Sequence, residues 1–288
     1  MKFWISLALF WLFNSCRPVG ATGEISILAS FYPIYIMARN ITDGVPGVKL
    51  SNLTQPVTGC LHDYALSTND MKKISGARVL LVNGAGMESF LDNVLRQFPS
   101  LTVIEASKGA ELIKSGNGLN PHVWLSLDGA SAEVANLAAG LASLDQEHAD
   151  QYKTNAANYL AKLQTLKSRM VQELAPYKGS LIITFHEAFP YFARDFGLKI
   201  AAVVEREPGS TPGARELAAT IALIRKYRIK ALFIEPQYSP AAAQIISRET
   251  SLRAFTLDPA VTGPDGLDSY LQIMEKNLET LKEALGGS

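Results

Sequence analysis

From Glu24 onward the chain alternates between two hydrophobic rhythms. Short β-branched and apolar runs at residues 25–29, 48–53, 78–82 and 101–104 read as strands. Between them, residues 35–41, 69–74 and 87–97 read as helices, with apolar positions at three- and four-residue steps. Strands separated by helices pair in parallel through crossovers, so these four form one doubly wound lobe. The rhythm returns further on: strands at 181–184, 200–204, 231–234 and 253–257, with helices at 188–196, 213–227, 240–250 and 267–284. Gly197, Pro208-Gly209, Pro212 and Pro259 punctuate the joins.

The middle of the chain differs. Residues 129–176 hold almost no β-branched runs and no proline before Pro176. One helix is expected at 132–144. Asp145 then caps a second that runs to Ala175, about 30 residues or ~45 Å. Tyr152, Ala156, Tyr159, Leu163, Leu166, Met170 and Leu174 form a single apolar stripe along it. The expected architecture is α/β: two doubly wound parallel-sheet lobes at residues 24–144 and 177–288, joined by one long rigid backbone helix at 145–176. Such a rod limits how far the lobes can swing.

The first 21 residues read as an address. Lys2 precedes an apolar run over residues 3–13, too short for a ~30 Å hydrocarbon layer that needs ~20 residues, as in a secretory leader. Cleavage after Val19-Gly20-Ala21 is one exit. The other is a lipoprotein signal, Leu12-Phe13-Asn14-Ser15-Cys16, with Cys16 as the lipid anchor. No second long apolar run follows. An extracytoplasmic location is expected, in the periplasm or tethered to a membrane.

Composition narrows the function classes. The 288 residues carry 27 Lys+Arg against 27 Asp+Glu, with no basic stripe, so no nucleic-acid partner is expected. Two cysteines exclude a disulfide-stapled mini-protein. If Cys16 is acylated, Cys60 is a lone thiol; if not, a Cys16–Cys60 bridge stays open.

With four histidines in the chain, each can be weighed. His62 lies in the loop after the second strand, His122 between the fourth strand and the middle helices, and His186 at the exit of the second lobe's first strand. Asp258 ends the last strand, before Pro259. Carboxyl ends of parallel strands line the crevice where ligands bind, so topology delivers these four toward one cleft. Three imidazoles and one carboxylate suit four-coordinate Zn²⁺, whereas Mn²⁺ prefers more oxygen. His148 reads as solvated. Glu88, Glu205 and Glu207 read as surface groups or supports behind the ligands, and Glu235 as bordering the cleft.

Several motifs carry a family resemblance: Gly59-Cys60-Leu61-His62-Asp63-Tyr64, Asn83-Gly84, Met87-Glu88, Asn120-Pro121-His122-Val123-Trp124-Leu125, Phe185-His186-Glu187-Ala188-Phe189-Pro190-Tyr191-Phe192, Glu235-Pro236-Gln237 and Leu257-Asp258-Pro259. Together they resemble the solute-binding proteins of zinc and manganese ABC importers, the ZnuA/TroA-like group. The resemblance implies two lobes on one backbone helix and a metal site in the cleft, with His62, His122, His186 and Asp258 as ligands. It also implies an ABC permease as partner. Manganese-type members tend to place Glu where His186 stands, which favours zinc here. Cys60-Leu61 replaces the family's usual Asp-Pro before the first ligand, and residues 111–119 hold none of the histidines of a metal-collecting loop.

The expected activity is capture without catalysis: a monomeric receptor takes Zn²⁺, or Mn²⁺ as second choice, and delivers it to the permease. Two alternatives stand beside it. One is an adhesin-like surface lipoprotein with a structural metal. The other is a zinc hydrolase, which needs an open coordination position and a base such as Glu187 or Glu205. His186-Glu187 is not a His-Glu-x-x-His helix, because residue 190 is proline.

Overall fold

The computed structural model describes residues 24–54, 61, 64–115, 118–204, 212–237 and 239–287. The leader, Cys16, Cys60, His62, Glu205 and Glu207 lie outside the described residues. The first sheet holds β1 (Ile25–Ala29), β2 (Val48–Asn52), β3 (Val79–Val82) and β4 (Thr102–Glu105), all parallel, in the order β2-β1-β3-β4. A short antiparallel hairpin follows, β5 (Lys114–Ser115) with β6 (Gly118–Leu119). The second sheet is again parallel: β7 (Leu181–Thr184), β8 (Lys199–Val203), β9 (Ala231–Ile234) and β10 (Ala254–Thr256), in the order β10-β9-β7-β8. Both sheets therefore share one winding. Chain direction switches between β1 and β3 in the first and between β7 and β9 in the second.

The helices are α1 (Tyr32–Thr42), α2 (Thr68–Gly76), α3 (Asp92–Leu95), α4 (Leu127–Leu144), α5 (Ala149–Leu174), α6 (Pro190–Phe196), α7 (Ala214–Tyr227), α8 (Ala241–Thr250) and α9 (Ser269–Gly286). The 26 residues of α5 span about 39 Å. Its buried residues are the seven of the predicted stripe. They pack against α1, α4, α6 and α9. Burial of this stripe joins the lobes, because one apolar cluster runs from Ala29 and Leu81 of the first sheet through Tyr159 and Met170 to Phe233 and Leu257 of the second. Two smaller clusters fill the outer faces, one under α2 and one under α7 and α8.

Polar bonds reinforce the union. From α1, the Tyr32 hydroxyl donates to the Pro264 carbonyl (2.9 Å) and the Asn40 amide to that of Leu267 (2.8 Å), with Arg39 paired to Asp265 at 3.2 Å. The segment after β10 is thus sewn to the first lobe.

Four local expectations are corrected. The helix expected at 87–97 is a 3₁₀ turn, Ser89–Leu91, followed by the four-residue α3. Gly84, Ala85 and Gly86 adopt left-handed φ angles of 81°, 54° and 87°, and the Glu88 carboxylate folds back onto the Asn83 and Gly84 N–H groups. That turn consumes the first helical residues. Next, α4 begins at Leu127 rather than at residue 132, capped by the Ser126 hydroxyl, which accepts from Gly129 N–H at 3.0 Å. Asp145 does not cap α5. Its Oδ2 is taken by the Tyr152 hydroxyl and His148 Nδ1, each at 2.8 Å, and α5 begins at Ala149. The same contact corrects His148, whose side chain is 17% exposed and paired rather than solvated.

Candidate metal centre

His122 sits in the turn between the hairpin and α4, 1% exposed. Its place is set from several sides. Asn120 Oδ1 accepts from His122 N–H at 3.0 Å and lies 3.0 Å from His122 Nδ1. The Asn120 amide nitrogen is itself committed, donating to the Glu187 carbonyl at 2.7 Å. With its NH₂ so engaged, the Asn120 oxygen must face the imidazole, so Nδ1 carries the hydrogen and Nε2 presents its lone pair. The Tyr191 hydroxyl donates to the Asn120 carbonyl (2.6 Å) and the Asn83 amide to that of Pro121 (3.0 Å). The turn also lies tight on α4: a Cβ at Gly129 would stand 2.2 Å from the Val123 carbonyl oxygen.

His186 leaves β7 and is 2% exposed. Its Nε2 lies 3.1 Å from His122 Nε2, with the rings 5.0 Å apart and nearly perpendicular. Two nitrogens bound at 2.0–2.1 Å to a tetrahedral ion stand about 3.3 Å apart. The spacing therefore fits two imidazoles that share one cation.

Asp258 follows β10. Asn277 grips its backbone from both sides, accepting from Asp258 N–H at 2.8 Å and donating to its carbonyl at 2.7 Å. Ala260 N–H donates to Oδ1 at 2.8 Å, from a residue held at φ 55°. A left-handed alanine costs about 1 kcal/mol, which the surrounding packing must supply. Burial raises the Asp258 pKa. Among the described residues no group of three or more His, Cys, Asp or Glu is close enough to hold an ion. The fold thus brings His122 and His186 together, while Asp258 stands at its strand end outside that pair.

Glu88 lies behind the centre. It accepts from the Ser30 hydroxyl (2.7 Å), Asn83 N–H (2.8 Å) and Gly84 N–H (3.0 Å), and burial pushes its pKa to about 6. Through Asn83, which holds Pro121, it supports the His122 turn. Glu235 follows β9, buried, with its pKa raised by desolvation and then by the Asp258 charge. Glu133 on α4 is the residue that sequence reasoning missed. It is fully buried, neither carboxylate oxygen has a hydrogen-bond partner among the described residues, and desolvation followed by the charge of Glu88 raises its pKa. Nothing in the amphipathic pattern around it sets it apart from a surface glutamate.

The chain is similar to known metal-binding proteins. The zinc-binding protein AdcA of Streptococcus pyogenes is 28% identical over 96% of this chain and 59% of its own length. The chain thus spans about three fifths of the curated relatives of that kind. Among solved structures, FpvC from Pseudomonas aeruginosa in complex with Mn²⁺ matches with a TM-score of 0.82 at 26% identity, covering 91% of this chain and 98% of that one. Zn(II)-bound AdcA from Streptococcus pneumoniae matches with a TM-score of 0.80 at 28% identity, covering 91% of this chain and 58% of that one. A family profile matches residues 27–284, and the chain belongs to that family, the periplasmic component A of zinc-uptake complexes.

Proposed function

We propose that the chain is an extracytoplasmic receptor that captures Zn²⁺, ahead of Mn²⁺, between its lobes and delivers it to an ABC permease. The 3.1 Å approach of His122 Nε2 to His186 Nε2 carries this reading. His62 and Asp258 complete the ligand set, two ligands from each side of α5. The lobes are residues 24–144 and 177–288, bracketing 145–176. With four protein ligands no water position is left, so the site captures and does not catalyse. The receptor acts as a monomer, and residues 1–21 carry its export signal, which ends either with Cys16 as a lipid anchor or with cleavage after Ala21.

Because the apolar core runs through both lobes, the cation does not close a wide hinge. It shifts a local equilibrium, drawing the Asp258 carboxylate onto an imidazole pair already in place, by no more than its differential affinity for the two states. Zn²⁺ kept free in solution at a thousand times Kd should stabilise the fold by about 4 kcal/mol. Thermal melts with and without Zn²⁺ test this. A raised Tm in the wild type that disappears in His122→Ala supports the reading, and no shift in the wild type rejects it. Outright unfolding on chelation would make the metal structural, as in the adhesin-like alternative.

A further inference from the structure

We propose that Glu235 is a charge-compensating carboxylate of the cation site, placed at the switch point of the second sheet between His186 and Asp258. The inference rests on the metal-site reading above. In the strand order, β9 lies between β7 and β10, and each neighbouring strand is followed two residues later by one expected ligand. Backbone bonds fix the register: Phe185 N–H donates to the Phe233 carbonyl at 3.0 Å and Leu257 N–H to that of Ile234 at 2.9 Å. Glu235 is the first residue after β9, so it emerges beside both His186 and Asp258. Pro236 follows and holds Glu235 to an extended backbone.

The surroundings of the carboxylate do not suit a structural acid. Glu235 is 3% exposed, and among the described residues its Oε1 has no hydrogen-bond partner. The charge that reaches it is that of Asp258, of the same sign. A buried carboxylate facing another carboxylate is costly unless a cation arrives. The cargo supplies one. The neutral imidazoles of His122 and His186 and the Asp258 carboxylate leave a divalent ion with one unit of positive charge in a dry cleft, and Glu235 cancels it without having to enter the coordination shell. The site then favours a dication over a monovalent one by its charge balance as well as by its ligand types.

The test is a Zn²⁺ competition titration of the full chain as wild type, His122→Ala and Glu235→Gln, with melts of each metal-free form. Gln keeps the shape and removes the charge. Zn²⁺ affinity should fall on the order of tenfold in Glu235→Gln, while the metal-free Tm stays level or rises because Gln replaces a buried carboxyl group set beside Asp258. A structural residue would not move affinity and stability in opposite directions. Wild-type affinity in Glu235→Gln, beside a wild type that binds and a His122→Ala that does not, overturns the role of Glu235 and leaves the site standing. A metal-free Glu235→Gln that melts below wild type, or fails to fold, makes Glu235 structural and also overturns it. A wild type that binds no Zn²⁺ removes the site and this inference together.

Discussion

The indole Nε1 of Trp124 donates to the Pro259 carbonyl across 2.8 Å, and so ties the turn that carries His122 to the turn that carries Asp258. Trp124 is fully buried, its own carbonyl accepts from the Tyr270 hydroxyl at 2.6 Å, and Phe31 meets its ring edge-on at 5.1 Å. The bond spans the two lobes. It makes the spacing of His122 and Asp258 a property of packing rather than of hinge angle.

Removing that bond should therefore cost both stability and affinity. Trp124→Phe leaves the Pro259 carbonyl without its donor and opens a small void, a loss of about 1–3 kcal/mol. The expected result is a lowered Tm with weaker Zn²⁺ binding, read by melts and titration of one preparation. Retained affinity would show that Asp258 is positioned without the strap.

Asn120 sets the tautomer of His122 and should matter to metal more than to folding. Asn120→Ala frees Nδ1 to exchange roles with Nε2 and breaks the tie to Glu187. Affinity for Zn²⁺ should drop by about 10- to 100-fold, the usual effect of losing a group that orients a ligand histidine. Isothermal titration measures it. An unchanged Kd would mean that His122 is oriented by its ring packing against Trp124, 5.1 Å between centroids.

Glu88 and Glu133 make the fold lose stability as pH rises above the ordinary carboxyl range. Both keep a proton in the native state above the ordinary carboxyl range, Glu88 up to about 6. The unfolded chain loses these protons near 4.5, so their contribution is fully present below that pH. For Glu88 it is lost as pH rises from 4.5 through about 6. Glu133→Gln titrates in neither state. Its Tm relative to wild type should rise steadily with pH above 4.5 in melts run from pH 4 to 8; a difference independent of pH would place Glu133 in a solvated site.

The α4–α5 turn offers a control. Burial opposes ionisation of Asp145, but its bonds from His148 and Tyr152 outweigh that and lower its pKa, so its contribution is present at neutral pH and fades as pH falls through the acid range. Asp145→Asn should cost about 1 kcal/mol at pH 7, seen as a lower Tm, and leave Zn²⁺ affinity unaltered, since none of these partners touches His122 or His186.

Much of this was legible from local pattern. The eight strands of the two sheets and the stripe on α5 follow from apolar periodicity, which burial enforces directly, and His186 lies at the strand exit expected of it, whereas His122 sits beyond the β5–β6 hairpin. What stayed hidden depends on contacts distant in sequence. The Trp124–Pro259 bond joins residues 135 positions apart. The burial of Glu133 depends on what α4 packs against, and the β5–β6 hairpin is two residues long on each side, too short for alternation to show. The break at 89–91 follows from Glu88 turning back on its own loop, a side-chain choice that helix propensity does not register.

The central claim is a coordination shell, and X-ray absorption at the zinc edge on the full chain loaded with one equivalent of Zn²⁺ reads it directly. The account predicts four light scatterers at 2.0–2.2 Å with the outer-shell signature of three imidazoles, reduced to two in His186→Ala. A sulfur scatterer near 2.3 Å, or a shell with fewer than three imidazoles in the wild type, would contradict it.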